Sequence, residues 1–228
     1  ERLGKTCREV HIVSSEGECK ELLIWMDREW QEGYDITAVE LPNGYPEKPG
    51  ATLTFTPGEE KTGNAEIAAE TGEFLFEPGK SLTKAGAFNV TAGYFHIRKL
   101  GKSTHYYLIN AETAENTVII KGLGKLFRIS RCLPLDKRSL KTAAAEFPKA
   151  EVTARNIPMD TDTLRKKMGV TSSDDAHIFG LKTASCMHKE AAESIFIHPM
   201  DLLQQFLFFQ FVVPTPKRNG GVFSRHVF

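Results

Sequence analysis

Short apolar runs separated by turn residues dominate the first 56 residues. "REVHIVSS" and "ECKELLIWMD" flank the polar triplet "EGE" and predict adjacent strands at 9–14 and 19–27, joined by a tight turn around Gly17. "DITAVELP" and "ATLTFTP" predict two more strands, at 36–41 and 52–56, and the Asn-Gly and Pro-Gly pairs between them predict turns. Four strands without an intervening helix cannot bury both faces, so the pattern predicts one side of a larger sheet.

Between residues 57 and 110 the pattern changes to mixed helix and strand signals. An acidic connector at 58–71 contains a predicted short helix at 64–69 and precedes a strand at 73–76. Apolar residues at three-residue spacing predict a core-facing helix at 82–94. The alternating "THYYLIN" predicts a short strand at 104–110.

Residues 121–184 show two helix starts of the same type. The run "KLFRISRCL" predicts a strand at 125–133, after which Asp136 is placed as the N-cap of a helix that Pro148 ends. "AEVTARNIP" predicts the next strand, Asp160 caps a second helix that ends before Gly169, and "AHIFGLKTA" predicts a last strand. The order is β-α-β-α-β within roughly 60 residues, a compact α/β unit.

Composition is ordinary for a soluble globular protein, with 41% hydrophobic and 25% charged residues among 228. The four cysteines, Cys7, Cys19, Cys132 and Cys186, form no CxxC pair and lack a histidine at ligand spacing, so we expect reduced thiols in the cytoplasm and no metal site. The apolar run at 202–213 contains three glutamines and is shorter than the roughly 20 residues of a membrane span. No membrane partner is expected.

Gly79-Lys80-Ser81 has the letters that close a phosphate-binding P-loop. Phe74 occupies the position of the first P-loop glycine, and Pro78 removes a backbone N–H that the loop would need. The pattern favours a turn between a strand and a helix. A phosphotransferase that uses this segment remains an alternative hypothesis, which predicts Mg²⁺-dependent ATP binding.

The zero net charge hides a strong polarity along the chain. Residues 1–56 carry 11 acids and 6 bases, whereas residues 121–167 carry 12 bases and 5 acids. Such a block is typical of proteins that bind an anionic polymer, and the alternative is a solvated helix face. We take as RNA-binding candidates the basic and polar residues of this unit: Lys125, Arg128, Arg131, Lys137, Arg138, Lys141, Arg155, Asn156, Arg165, Lys166 and Lys167. For Arg155 alone, a strand-end salt bridge is the competing role.

Several separated blocks carry a family resemblance. They are "REVHIVSSEGECKELLIWM", "GEFLFEPGKSLTKAGAF", "THYYLIN", "GKLFRISRCLPLDKRSLK" and "EVTARNIPMDTDTLRKKMGV" with "DDAHIFGLKTA", in order from Arg8 to Ala184. Together they resemble the C-terminal half of a bacterial family of class I SAM-dependent methyltransferases that ends in a THUMP-like domain. The Glu77-Pro78 and Lys84-Ala85-Gly86 letters match the family, whereas Gly79 departs from its usual asparagine.

The resemblance implies an α/β fold: terminal strands of a Rossmann-like methyltransferase sheet followed by a small β-α-β-α-β THUMP-like domain. The implied division is 1–56 for the sheet strands, 57–110 for a connector, 111–184 for the THUMP-like domain and 185–228 for an atypical tail. In the tail, which holds seven of the fifteen phenylalanines, the family's further apolar strand is not evident. The tail is interpreted either as frameshifted sequence or as an extra element with a helix at 199–213.

The implied function is the C-terminal portion of a SAM-dependent methyltransferase acting on tRNA or rRNA, with the THUMP-like module positioning the RNA. Such enzymes bind SAM through an acidic-Gly-x-Gly loop after the first strand. The chain contains no such loop, since Gly122-Leu123-Gly124 precedes a strand, and it begins without methionine. We therefore expect a fragment that binds no SAM alone, has no assignable catalytic residue, and has the missing N-terminal half as a partner. The alternative is a non-catalytic RNA-binding or interaction module.

Overall fold

The computed structural model describes residues 5–109, 117–184 and 193–199. The strands in these ranges are β1 (Cys7–Ser15), β2 (Glu18–Met26), β3 (Asp35–Leu41), β4 (Ala51–Phe55), β5 (Phe74–Pro78), β6 (Arg98–Lys99), β7 (Tyr107–Ile109), β8 (Gly124–Arg128), β9 (Arg131–Pro134), β10 (Glu151–Arg155), β11 (Ala176–Lys182) and β12 (Glu193–Pro199). The helices are α1 (Pro57–Thr62), α2 (Lys80–Ala85), α3 (Asn89–Phe95), α4 (Thr117–Gly122), α5 (Lys137–Glu146) and α6 (Thr161–Met168). The strands form three four-stranded sheets.

The first sheet has the strand order β2-β1-β3-β4. Its β1–β2 hairpin turns at Glu16 and Gly17, whose φ angles of 55° and 75° lie in the left-handed region that glycine favours. β1 is parallel to β3, and the other two pairings are antiparallel. The four strands predicted for residues 1–56 and the turn at Gly17 are confirmed.

The second sheet has the order β6-β7-β5-β8 and lies between two hydrophobic cores. Phe76 and Tyr107 point to one side, where they pack with Leu82 of α2 and Phe95 of α3 and with Phe55 of the first sheet. The alternate side chains of β5 and β7 point to the other side because successive strand residues face opposite directions. This sheet is therefore the central layer of the molecule.

The third sheet has the order β10-β11-β12-β9, with α5 and α6 on one face. Its other face carries Phe179 and Leu181, which pack against Leu75 and Phe127 of the second sheet and against Leu100 in the loop after β6. Each helix starts as predicted: the Asp136 carboxylate accepts the Ser139 N–H at 2.8 Å, and Asp160 accepts the Thr163 N–H at 2.7 Å. The β-α-β-α-β order is confirmed and gains a fourth strand, β12.

The connector and the helix after it differ from the prediction. The short helix is α1 and not 64–69, because Thr56 and Glu59 form a reciprocal capping box that starts it earlier. Residue 67 instead pairs with Lys99 of β6. The helix predicted at 82–94 is divided into α2 and α3, because Gly86 takes a left-handed φ of 72° and ends the first.

Two strand predictions were also wrong in their extent. The strand predicted at 125–133 is divided into β8 of the second sheet and β9 of the third, with the Ile129 N–H bonded to Glu73 and the Ser130 N–H to Ile197. The strand predicted at 104–110 begins only at Tyr107, and residue 110 lies outside the described residues.

The tail provides a strand where none was evident from the sequence. β12 is antiparallel to both β11 and β9 and fills the space between them. Of the helix predicted at 199–213, Pro199 is the last residue of β12, and the remainder lies outside the described residues, as does Cys186. No helix in the described ranges is long and apolar enough to cross a membrane.

Candidate nucleic-acid interface

The Gly79-Lys80-Ser81 segment forms the start of α2, and a carboxylate from another strand binds there. Glu40 of β3 reaches across to α2, where one of its oxygens accepts the Ser81 N–H at 3.2 Å and the Ser81 hydroxyl at 2.7 Å. A Cβ atom on Gly79 would lie 2.7 Å from the Glu40 carboxyl carbon and 2.8 Å from the Leu123 carbonyl oxygen, so glycine permits this close approach. A carboxylate therefore lies where a P-loop would place a phosphate, which disfavours the phosphotransferase hypothesis.

The largest group of exposed candidate cations lies on the helical layer over the third sheet. Lys137, Arg138 and Lys141 are exposed in the first two turns of α5, and Lys166 and Lys167 are exposed in the last turn of α6. β9, β10 and β11 run in one direction, so the two helices that return between them run parallel. The α5 and α6 cations consequently lie toward opposite ends of this layer.

Other candidates are engaged within the protein or lie on another sheet. Arg131 forms an ion pair with Glu146 at 3.2 Å, and Arg165 forms one with Asp162 within α6. Lys125 and Arg128 are exposed on β8, which belongs to the second sheet. The eleven candidates therefore do not form a single continuous face.

Arg155 and Asn156 lie at the end of β10, where the third sheet meets a loop of the second. The Asn156 side-chain amide donates to the Ser103 carbonyl at 2.7 Å and to the Thr104 hydroxyl at 3.4 Å. Arg155 donates to its neighbour's carbonyl, that of Ala154, at 3.1 Å. The Asn156 amide thus holds residues 103 and 104 against the third sheet.

Sequence reasoning missed a buried polar pair beside this junction. The Tyr106 hydroxyl donates to the Glu77 carboxylate at 2.6 Å, and Tyr106 is only 6% exposed. Burial raises the pKa of Tyr106, the Glu77 charge raises it further, and Arg155 opposes them. Tyr106 is therefore a neutral donor at physiological pH. The pair links residues 29 positions apart, and no local spacing could have indicated it.

The described residues contain no group of three or more His, Cys, Asp and Glu side chains that could hold a metal ion. Among the described residues, Cys7, Cys19 and Cys132 are not in disulfide bonds.

Comparison with known proteins identifies two domains. Residues 124–192 match a family described as THUMP domain-like, and residues 74–114 match a family described as a ferredoxin-like domain. The chain carries a THUMP-like domain and a ferredoxin-like domain. The second match covers most of the second sheet, a region that the sequence pattern had indicated only as a connector.

A solved structure has the same fold over most of the chain. It is described as a "putative methyltransferase" from Porphyromonas gingivalis W83, with a TM-score of 0.73 and 23% sequence identity. The likeness covers 86% of this chain and 46% of that one, so the chain spans less than half the length of the protein it matches. Comparison with curated proteins gave no match.

Proposed function

We propose that this chain is the C-terminal portion of a SAM-dependent methyltransferase that acts on tRNA or rRNA. The observation that carries the proposal is the shared fold with the Porphyromonas gingivalis protein over 86% of the chain, together with the THUMP domain-like match. On this proposal the first sheet supplies the terminal strands of a Rossmann-like sheet, and the THUMP-like domain positions the RNA.

The exposure of strand β2 supports the proposal that another part of the protein covers it. Leu22 is 60% exposed and Trp25 52%, and the stretch from Leu22 to Met26 has no charged residue. β2 is also the edge of its sheet in the described part of the chain. Long apolar edge strands promote aggregation unless they are paired or covered. We propose that the SAM-binding half pairs with this edge.

The described residues do not themselves fit a SAM site. β1 ends in the Glu16-Gly17 hairpin, whereas dinucleotide- and SAM-type sites need a glycine-rich turn that leads from a strand into a helix. We therefore assign neither SAM contacts nor catalytic residues to this chain. Its proposed contribution is to bind and orient RNA.

The RNA part of the proposal rests on the α5 and α6 cations. Exposed lysine and arginine side chains bind phosphates without reading sequence and release counterions when they do so. Substitution of Lys137, Arg138 and Lys141 by alanine should weaken tRNA binding. It should also reduce the slope of log affinity against log salt by about 1 for each phosphate that is no longer neutralised.

Fluorescence anisotropy with labelled tRNA tests this prediction. The matched control replaces three exposed lysines elsewhere, Lys5, Lys48 and Lys84, and so removes the same charge. A salt-independent affinity, or an equal loss in the control, would contradict an RNA-binding role for α5.

The methyltransferase part is tested in the full-length protein. We expect it to bind SAM in isothermal titration and to transfer a labelled methyl group to RNA, whereas this chain alone should bind no SAM. RNA binding without SAM binding in the full-length protein would instead support the non-catalytic RNA-binding module.

A further inference from the structure

A cavity of about 430 Å³ lies between the α1–α3 region and the loop that joins β6 to β7. None of the α5 and α6 cations lines this cavity. Its lining includes Glu60, Asn64, Phe88, Lys99, Lys102 and His105. The sequence pattern alone indicated no functional role for these residues.

Lys99 is a buried cation whose donors are incompletely used. The residue is 5% exposed, and burial lowers its pKa. Its ammonium donates to the Lys102 carbonyl at 3.3 Å and lies 5.9 Å from the centre of the Phe88 ring. An ammonium group has three N–H donors, and this is the one acceptor that the described residues provide for it. Since buried polar groups are normally paired, the arrangement indicates a ligand or water at the remaining donors.

His105 adds an independent sign of a missing partner. Its ring stacks on Phe88, with centroids 3.5 Å apart and planes 10° apart. Its Nδ1 atom is buried and has no hydrogen-bond partner among the described residues. Burial, and then the charge of Lys99, lower the pKa of His105. The imidazole is therefore neutral near pH 7 and can donate one hydrogen bond and accept another.

The carboxylate in the lining is already occupied. Both Glu60 oxygens accept the Asn89 N–H at 2.9 Å, and one also accepts the Val90 N–H at 3.0 Å. Glu60 therefore binds the start of α3 and leaves the donors of Lys99 available. Two lysines, Lys99 and Lys102, and one glutamate, Glu60, belong to the lining residues, which therefore carry an excess of positive charge.

The third sheet holds the loop that carries two of these residues. Asn156 bonds Ser103 and Thr104, which lie between Lys102 and His105 in the chain. Residues that are fixed by such supporting contacts present their donors in a preorganised geometry.

We propose that this cavity binds a phosphoryl group through the ammonium groups of Lys99 and Lys102 and a hydrogen bond from His105. A phosphate offers several oxygens to donors that converge from different directions, which suits this lining better than a neutral ligand. The group could come from a terminal phosphate of RNA or from free phosphate. The RNA source rests on the proposed function, whereas phosphate binding itself does not.

Isothermal titration of the full chain with inorganic phosphate tests the site. Lys99→Met keeps an unbranched apolar stem of nearly the same length and removes the charge, so it should weaken phosphate binding by about tenfold or more, as expected for loss of a charge-assisted hydrogen bond. Lys102→Met should give a smaller loss. Lys84→Met, at an exposed position of α2, is the matched control and should leave the affinity unchanged.

Two further measurements keep the test interpretable if the Lys99 variant misfolds. Lys102 is exposed, so its variant should fold even where Lys99→Met does not, and circular dichroism checks both. Phosphate should also shift the ¹⁵N resonances of the His105 ring in the unsubstituted chain. Absence of phosphate binding, or equal affinity in the Lys102 variant and the control, would overturn the proposal.

Oligoribonucleotides with and without a 5′ phosphate then distinguish the sources. Tighter binding of the phosphorylated strand, lost in the Lys102 variant, identifies RNA as the source. Equal binding of both strands, with inorganic phosphate still bound, identifies free phosphate. The α5 triple variant should reduce RNA binding but not phosphate binding, so failure of the RNA proposal remains distinguishable from failure of this site.

Discussion

Substitution of Glu40 by alanine should destabilise the protein from a position outside the hydrophobic core. Glu40 lies on β3, and its carboxylate accepts both the N–H and the hydroxyl of Ser81 at the start of α2. Ser81 is 0% exposed, so water cannot replace the lost acceptor without a rearrangement. Gly79, the N-cap residue of α2, has no side chain that could take over.

The expected loss follows from these two bonds. A hydrogen bond to a charged group contributes about 1.5–3 kcal/mol, and a buried donor left unpaired carries a penalty of similar size. Because both bonds end on one carboxylate oxygen, their contributions are not additive, and we expect a total of about 2–4 kcal/mol. With a urea m-value of about 2 kcal/mol/M, the unfolding midpoint should fall by about 1–2 M.

Urea denaturation followed by circular dichroism measures this shift. Glu47→Ala removes an exposed glutamate in the loop after β3 and should change stability by less than about 0.5 kcal/mol. A cycle with Ser81→Ala should give a coupling energy of at least about 1 kcal/mol. A Glu40→Ala midpoint equal to that of the Glu47 control, or zero coupling, would refute the assignment of Glu40 as the cap of α2.

Three further predictions concern the other layers. Phe179→Ala should destabilise by about 3–5 kcal/mol, because Phe179 is fully buried between the second and third sheets; a loss below about 1 kcal/mol in urea unfolding would contradict this packing. Gly124→Ala should destabilise the protein by about 1–3 kcal/mol, because its Cβ atom would lie 2.7 Å from the Phe76 ring. Gly93→Ala in α3 should not destabilise it, because there is open space around that position. Equal melting temperatures of the two variants would contradict this prediction. The pKa of Asp136 is lowered chiefly by the Ser139 N–H, so its stabilisation is present above the ordinary value of 3.8 and is lost as pH falls through the lower folded pKa. Asp136→Asn should flatten the acid limb of the stability–pH curve, and an unchanged limb would argue against this role.

Some of the site could not have been predicted because the residues that meet there are distant in sequence. Glu40 and Ser81 are 41 residues apart, and Asn156 and Ser103 are 53 apart. Asn156 was proposed from its position in a basic unit, but the structure commits its amide to the loop of the second sheet. Lys99 and His105 lie in a stretch with no recognisable motif, and only folding gathers them around one cavity.

The sequence by itself determined the features that depend on neighbouring residues. The N-caps Asp136 and Asp160, the left-handed turn at Gly17 and the strands of the first sheet follow from spacing and backbone preference over a few positions. Tertiary structure decided which sheet each strand joins. The run at 125–133 looks continuous as a pattern, yet Phe74 pairs with Arg128 whereas Cys132 pairs with residue 196, so the chain changes sheets between them. Strand pairing is chosen by distant partners and shared burial, which no local pattern records.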